Sequence, residues 1–214
     1  MTHPTVKIIR DEHSALSAML RSIIMLLAEH RRRSTLPDFG VLRAMLFYVD
    51  EFPERLHHTK ESKLLFPKVR ARSTEANQVL DRLERDHRRG ERAIRYLEHD
   101  LLGFEMMGEG ADGAMRREQF ERSMKQYVDF YHDHMRVEET EVLPLAEKVL
   151  TVDDWAELDA AFLTNRDPLT GHEPDDAYRP LFKKILMTLA APIGLGPALE
   201  AMAAAGSAGQ TQVP

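Results

Sequence analysis

Residues 57–67 read HHTKESKLLFP, and residues 134–144 read HMRVEETEVLP. The two stretches align without a gap: His57 with His134, Glu61 with Glu138 and Pro67 with Pro144, every pair offset by 77 (134−57, 138−61, 144−67). Upstream of each stretch stands a single histidine, His13 in RDEHSAL and His87 in ERDHRRG, offset by 74 (87−13). The chain thus reads as a duplicated helix pair, each half carrying H and then H-x-x-x-E. Residues four apart on a helix differ by only about 40° around its axis and lie one turn apart. The histidine and glutamate of each stretch therefore share a face and can bind one cluster together.

Outward from this repeat, apolar residues return at three- and four-residue spacing through four long segments, whereas strand-like alternation is scarce. The fold class is predicted to be all-α. The first segment, about 4–31, sets Ile8, Leu16, Leu20, Ile23, Ile24 and Leu27 around one broad face. The second runs from about 36–38 to about 70 with Pro53 inside it, where the missing backbone donor predicts a bend just before His57. The third is predicted from the N-cap residues Ser73 and Thr74 to Gly103, and the fourth from about Ala114 to Lys148.

Short polar links between four long amphipathic helices fit an up-down-up-down four-helix bundle with a short helical C-terminal extension. The expected divisions are 1–150 for the bundle, 151–189 for the extension (helices at about 151–164 and 177–189) and 190–214 for a flexible Ala/Gly/Pro-rich tail. His13 and His87 lie early in helices one and three, and the H-x-x-x-E pairs lie late in helices two and four. Antiparallel packing makes these positions level, so all six side chains are expected at one end of the bundle.

The chain has no cysteine, which excludes disulfides, thiolate zinc sites and cysteine-ligated iron–sulfur clusters. A net charge of −6 with both signs mixed argues against nucleic acid, which asks for a basic stripe. The start, MTHPTVKIIRDEH, lacks the apolar run of a signal peptide, and no stretch is apolar for long enough to cross a bilayer, so a cytoplasmic protein is expected.

Metal ligation must then rest on nitrogen and oxygen. Four imidazoles and two carboxylates suit iron or manganese better than calcium or magnesium, which take oxygen alone. If both carboxylates bridge two metals that each take two histidines and share a solvent bridge, about one position per metal is left for water or a small molecule.

At these residues the sequence resembles the hemerythrin-like, or HHE cation-binding, family. The resemblance covers about residues 4–148 and places the signature on His13, His57, Glu61, His87, His134 and Glu138. A lone H-x-x-x-E is a weak signal, but two in register with two helix-paired histidines are specific. The resemblance implies a four-helix bundle around two iron ions, oxo- or hydroxo-bridged, with Glu61 and Glu138 bridging; manganese is the alternative metal. It also implies a small diatomic or peroxide ligand, because family members include oxygen carriers, oxygen and iron sensors, di-iron proteins of nitrosative stress or iron–sulfur repair, and peroxide-decomposing proteins. The expected function is binding or reduction of O2, peroxide or nitric oxide, and the alternative is an iron- or oxygen-responsive sensor or interaction module without turnover.

The invertebrate carriers use five histidines, whereas four fall on the repeat here; His58 is a candidate for the fifth, although it stands about 100° around the helix from His57 and its counterpart is Met135. The cysteine-bearing N-terminal segment of the repair proteins is missing. Glu54 and Tyr131 are also repeat partners (131−54 = 77), either as groups that orient an imidazole or as plain surface residues. His3, His30, His99, His132 and His172 read as surface histidines.

Overall fold

The computed structural model describes residues 3–188, all of whose regular structure is helical, with no strand among them. The predicted tail, 190–214, lies outside the described residues. Helix α1, Pro4–Arg32, opens on a proline whose missing N–H costs nothing in the first turn, and it ends in His30, Arg31 and Arg32 at the negative end of its dipole. Ser34, at φ 54°, then turns the chain away.

Helix α2 covers residues 39–72 without a break. Asp38 caps it by accepting from the Val41 N–H at 3.1 Å. Two wide turns interrupt its regular winding, Asp50–His57 and Glu61–Leu65. In the first, the His58 N–H reaches back five residues to the Pro53 carbonyl. In the second, the Phe66 N–H reaches the Glu61 carbonyl just before Pro67. Helix α4, residues 113–149, repeats the second device: the wide turn Glu138–Val142 ends with the Leu143 N–H on the Glu138 carbonyl, just before Pro144. A proline ring clashes with the carbonyl four residues back, and a widened turn relieves that clash without ending the helix.

Helix α3 is Asn77–Met107, so it begins later and ends later than the sequence suggests. Ser73 uses its hydroxyl to accept from the Glu75 N–H in a turn, and Gly103 is passed through because the next residue, Phe104, is fully buried. Helix α5, Val152–Phe162, is capped by Thr151 and Asp154, which bond each other's backbone N–H. A single tight turn, Pro168–Thr170, and helix α6, Arg179–Thr188, follow.

Two apolar clusters hold these helices together. One gathers Met19, Ile23, Leu42, Tyr48, Leu97 and Phe120 with Leu169, Phe182 and Ile185 of the C-terminal segment. The other gathers Val6, Ile9, Phe66, Leu83 and Leu143 with Trp155, Leu158 and Phe162 of α5. Each large apolar side chain so buried contributes on the order of 1.5–3 kcal/mol. The six residues of the repeat lie between these clusters rather than at an open end, because apolar residues continue one to two turns beyond them: Val6 and Ile9 before His13, and Leu65 and Phe66 after Glu61.

Candidate metal centre

His13, His57, Glu61, His87, His134 and Glu138 are brought together from α1, α2, α3 and α4, and all are buried. Their ring nitrogens and carboxylate oxygens converge. His57 Nε2 lies 3.2 Å from Glu61 Oε1, His134 Nε2 3.3 Å from Glu138 Oε1, and His13 Nε2 3.3 Å from Glu138 Oε2. His87 Nε2 lies 3.4 Å from Glu61 Oε2 and 3.1 Å from His134 Nε2.

The outward nitrogens are held by a second layer of polar groups. His57 Nδ1 meets Glu12 Oε2 at 2.7 Å, His13 Nδ1 meets Glu139 Oε1 at 2.9 Å and His87 Nδ1 meets Ser62 Oγ at 2.8 Å. His134 Nδ1 is 3.8 Å from Asp86 Oδ2, beyond hydrogen-bond range. The two carboxylates make Nδ1 the donor in His57 and His13, and all three contacts turn Nε2 inward.

The sequence reading left open whether His58 joins the cluster, and the structure places it there. His58 is 4 % exposed and groups with Glu61, His87 and His134, while His13 and His57 group with Glu61 and Glu138; within each group one ligand atom per residue lies within 4.8 Å of the others. His58 Nδ1 meets Glu54 Oε2 at 3.1 Å, so its Nε2 is the free nitrogen. Glu54 also accepts from Tyr127 at 2.8 Å and from Tyr131, so the repeat partners Glu54 and Tyr131 form one buried hydrogen-bonded unit against His58 rather than surface positions. Gly90 makes room for it: a Cβ there would stand 2.8 Å from Glu54 Oε1 and closer still to the Tyr131 hydroxyl.

The repeat itself held the signal for the second layer. Glu12 and Asp86 each precede the lone histidine of their half (86−12 = 74), and each faces the histidine of the following H-x-x-x-E. Ser62 and Glu139 each follow the glutamate (139−62 = 77), and each faces a lone histidine. Of the other histidines, His99, His132 and His172 are exposed, and His3 and His30 are partly so.

Burial would raise the Glu61 carboxyl, as would Glu138, but the facing His57 and His87 hold it down at about 2. Glu138 is likewise held well below the carboxylate range, by His134, His13 and His87 against its burial. Burial lowers the His134 imidazole, yet Glu138 and Asp86 outweigh this and bring it up to about 10. His58 moves the other way, well below its ordinary value, through burial and the three imidazoles around it.

A cation fits this set. Both oxygens of Glu61, both of Glu138, and Nε2 of His13 and of His57 are buried without a hydrogen-bond partner. Six buried polar atoms without a partner, gathered in one cluster, are costly unless a positive charge meets them. Imidazole-rich N/O ligation without sulfur suits a first-row transition cation. Beside the cluster lies a cavity of about 10 Å³, lined by His13, His57 and His58 with Glu12, Phe52 and Asp167. A groove of about 550 Å³, walled by Arg43, Phe47, Leu101 and Leu181, holds none of these groups. No described helix is long and apolar enough to cross a membrane.

Comparison with curated proteins gave no match, and comparison with solved structures gave none. The description hemerythrin HHE cation binding domain matches residues 5–146, well over half of the chain. With its histidine and glutamate clusters so placed, the chain belongs to the hemerythrin HHE cation-binding family.

Proposed function

We propose that the protein is a non-haem di-iron protein that binds or reduces a small oxidant: O2, peroxide or nitric oxide. His13, His57, Glu61, His87, His134 and Glu138 are the ligands read from the repeat, and His58 is added to them. Glu61 and Glu138 bridge the two positions. Three imidazoles (His58, His87, His134) serve one and two (His13, His57) serve the other, so the second has one coordination place more for an incoming molecule. The observation that carries this reading is the set of inward-facing, unpartnered acceptors, carboxylate oxygens and Nε2 atoms together, between two apolar clusters.

The reading includes an up-down-up-down bundle over 1–150, supported by early α1 and α3 residues lying level with late α2 and α4 residues, and a helical extension over 151–189. Manganese is the alternative metal, and a cytoplasmic location and the lack of a nucleic-acid partner are part of the reading. When bound, the iron pair supplies two-electron redox chemistry and a place for the oxidant. The chain's own part is to fix each Nδ1–H on Glu12, Glu139, Ser62 or Glu54, to point Nε2 inward, and to surround the centre with apolar side chains that limit water.

Metal analysis of protein loaded anaerobically with ferrous iron is expected to give about two irons per chain, with near-ultraviolet oxo-bridge absorption after air is admitted. His57→Ala and His134→Ala are each expected to lower that content. Protein that takes up no iron would refute the reading.

The alternative, an iron- or oxygen-responsive module without turnover, draws on one contact. The Asn165 amide of the extension donates to Glu12 Oε2 at 3.1 Å, and the same oxygen bonds His57. Iron loading would then protect residues 151–170 from amide exchange, and unchanged exchange would count against it.

A further inference from the structure

Residues of the cavity beside the cluster come from two sources. His13, His57, His58, Glu12 and Phe52 belong to α1 and α2, within the matched 5–146; Asp167 comes from the segment after α5, outside it. We propose that this C-terminal segment forms the far wall of the exogenous-ligand pocket, and that Asp167 sets the size of ligand admitted. This rests on the di-iron reading and adds to it a specificity-determining residue that the helix repeat does not contain.

The geometry is that of a built wall. Asp167 is 4 % exposed and held from both sides: its Oδ2 accepts from the buried Tyr48 hydroxyl at 2.6 Å and its Oδ1 from the Leu169 N–H at 2.8 Å. The segment leading to it is fastened to α2 at the residue before Glu61. Lys60 donates to the Ala161 carbonyl and the Thr164 hydroxyl, each at 2.8 Å, and to the Asn165 side-chain oxygen. Leu169, next to the wall, is packed into the apolar cluster with Tyr48 and Phe182.

The cavity is lined by members of both groups, His13 and His57 of one and His58 of the other, so it lies beside both. Its volume of about 10 Å³ is at the threshold for one water molecule. Such a space leaves room for about one water-sized group beyond the atom bound at the centre, and it turns away branched or longer ligands.

The test uses full-length, iron-loaded, oxidised protein. Azide binding is followed by its visible charge-transfer band, and formate and propionate are titrated as competitors. In the unaltered protein formate should displace azide and propionate should not. Asp167→Ala removes the wall's carboxyl, and propionate should then compete about tenfold or more better relative to formate. Asp167→Asn keeps the size and should keep the discrimination. Asp167→Leu, which covers the case of an alanine variant that does not fold, should fill the cavity and weaken azide binding at unchanged iron content.

A formate-to-propionate ratio unmoved in Asp167→Ala would overturn the proposal. So would equal loss of discrimination in Asp167→Asn, which would assign the effect to charge rather than size. Both results leave the iron content, and with it the di-iron reading, intact. Absence of iron from the unaltered protein would sink that reading and the proposal together.

Discussion

His58 and Met135 hold equivalent places in the two halves of the chain, and the difference between them makes the two ligand groups unequal. The unit of Glu54, Tyr127 and Tyr131 exists on the His58 side, where it fixes the ring's Nδ1. His58→Met would make the halves alike. We expect the iron content of that variant to fall from about two towards about one per chain with helicity retained, since the His13 and His57 group is untouched. Metal analysis beside far-ultraviolet circular dichroism checks this, and a full complement of iron would show that His58 is no ligand. Six of the clustered residues were legible because a spacing of four on a helix is a statement about direction. His58 stayed an open candidate, because the regular step of about 100° per residue points it away from the His57 face. The wide turn Asp50–His57 packs more residues into one turn and narrows that angle, which no residue count on an ideal helix anticipates. The acidic and hydroxyl partners of the imidazoles obey the same repeat, yet Glu12, Asp86, Ser62 and Glu139 are ordinary helix-surface residue types, and their role becomes visible only with the ring that each one meets.

Among the elements, α2 and α4 owe their shape to prolines that lie inside the helices predicted from sequence. Pro53, Pro67 and Pro144 each fall in or just after a wide turn, so both helices continue past them and carry the clustered histidine and glutamate in the middle of their length. The bend predicted before His57 corresponds to the first of these turns. Helix boundaries were legible where a cap is used, as at Asp38 and Thr151, and misread where the same residue types serve a turn, as at Ser73. Gly103 misled in the other direction. A glycine inside a helix costs only about 1 kcal/mol, less than burying Phe104 returns. Helix α5 is short, and its start depends on one reciprocal pair, Thr151 with Asp154, supported by Arg72 at 2.8 Å from the Asp154 carboxylate. Thr151→Ala should lower unfolding free energy by about 1 kcal/mol in urea denaturation. A variant as stable as the parent would mean that Trp155, Leu158 and Phe162 alone fix that helix against the bundle.

For the molecule as a whole, the cluster couples cation binding to protons. In the cation-free protein the carboxylates hold His13, His57 and His87 above the ordinary imidazole value and His134 at about 10. At pH 7 a metal bound by His134 must therefore displace that ring's proton, so its affinity should rise as pH rises from 7 towards 10. Calorimetry in buffers of different ionisation enthalpy should show net proton release; zero release would contradict the assignment. The sign for the cation-free fold is opposite. Because the folded value of His134 lies above its ordinary 6.5, its contribution to stability is whole below 6.5 and is lost as pH rises through about 10. The placement of this charged layer between the two apolar clusters has a further meaning for how the protein comes apart. A single continuous core melts as one unit, whereas two cores separated by a seam of ionisable groups share little apolar contact across it. On the proposed reading a bound metal acts as a rivet through the seam, and its removal should split one cooperative transition into two. Amide exchange would locate them: one about Val6, Phe66, Leu143 and Trp155, the other about Met19, Leu42, Phe120 and Phe182.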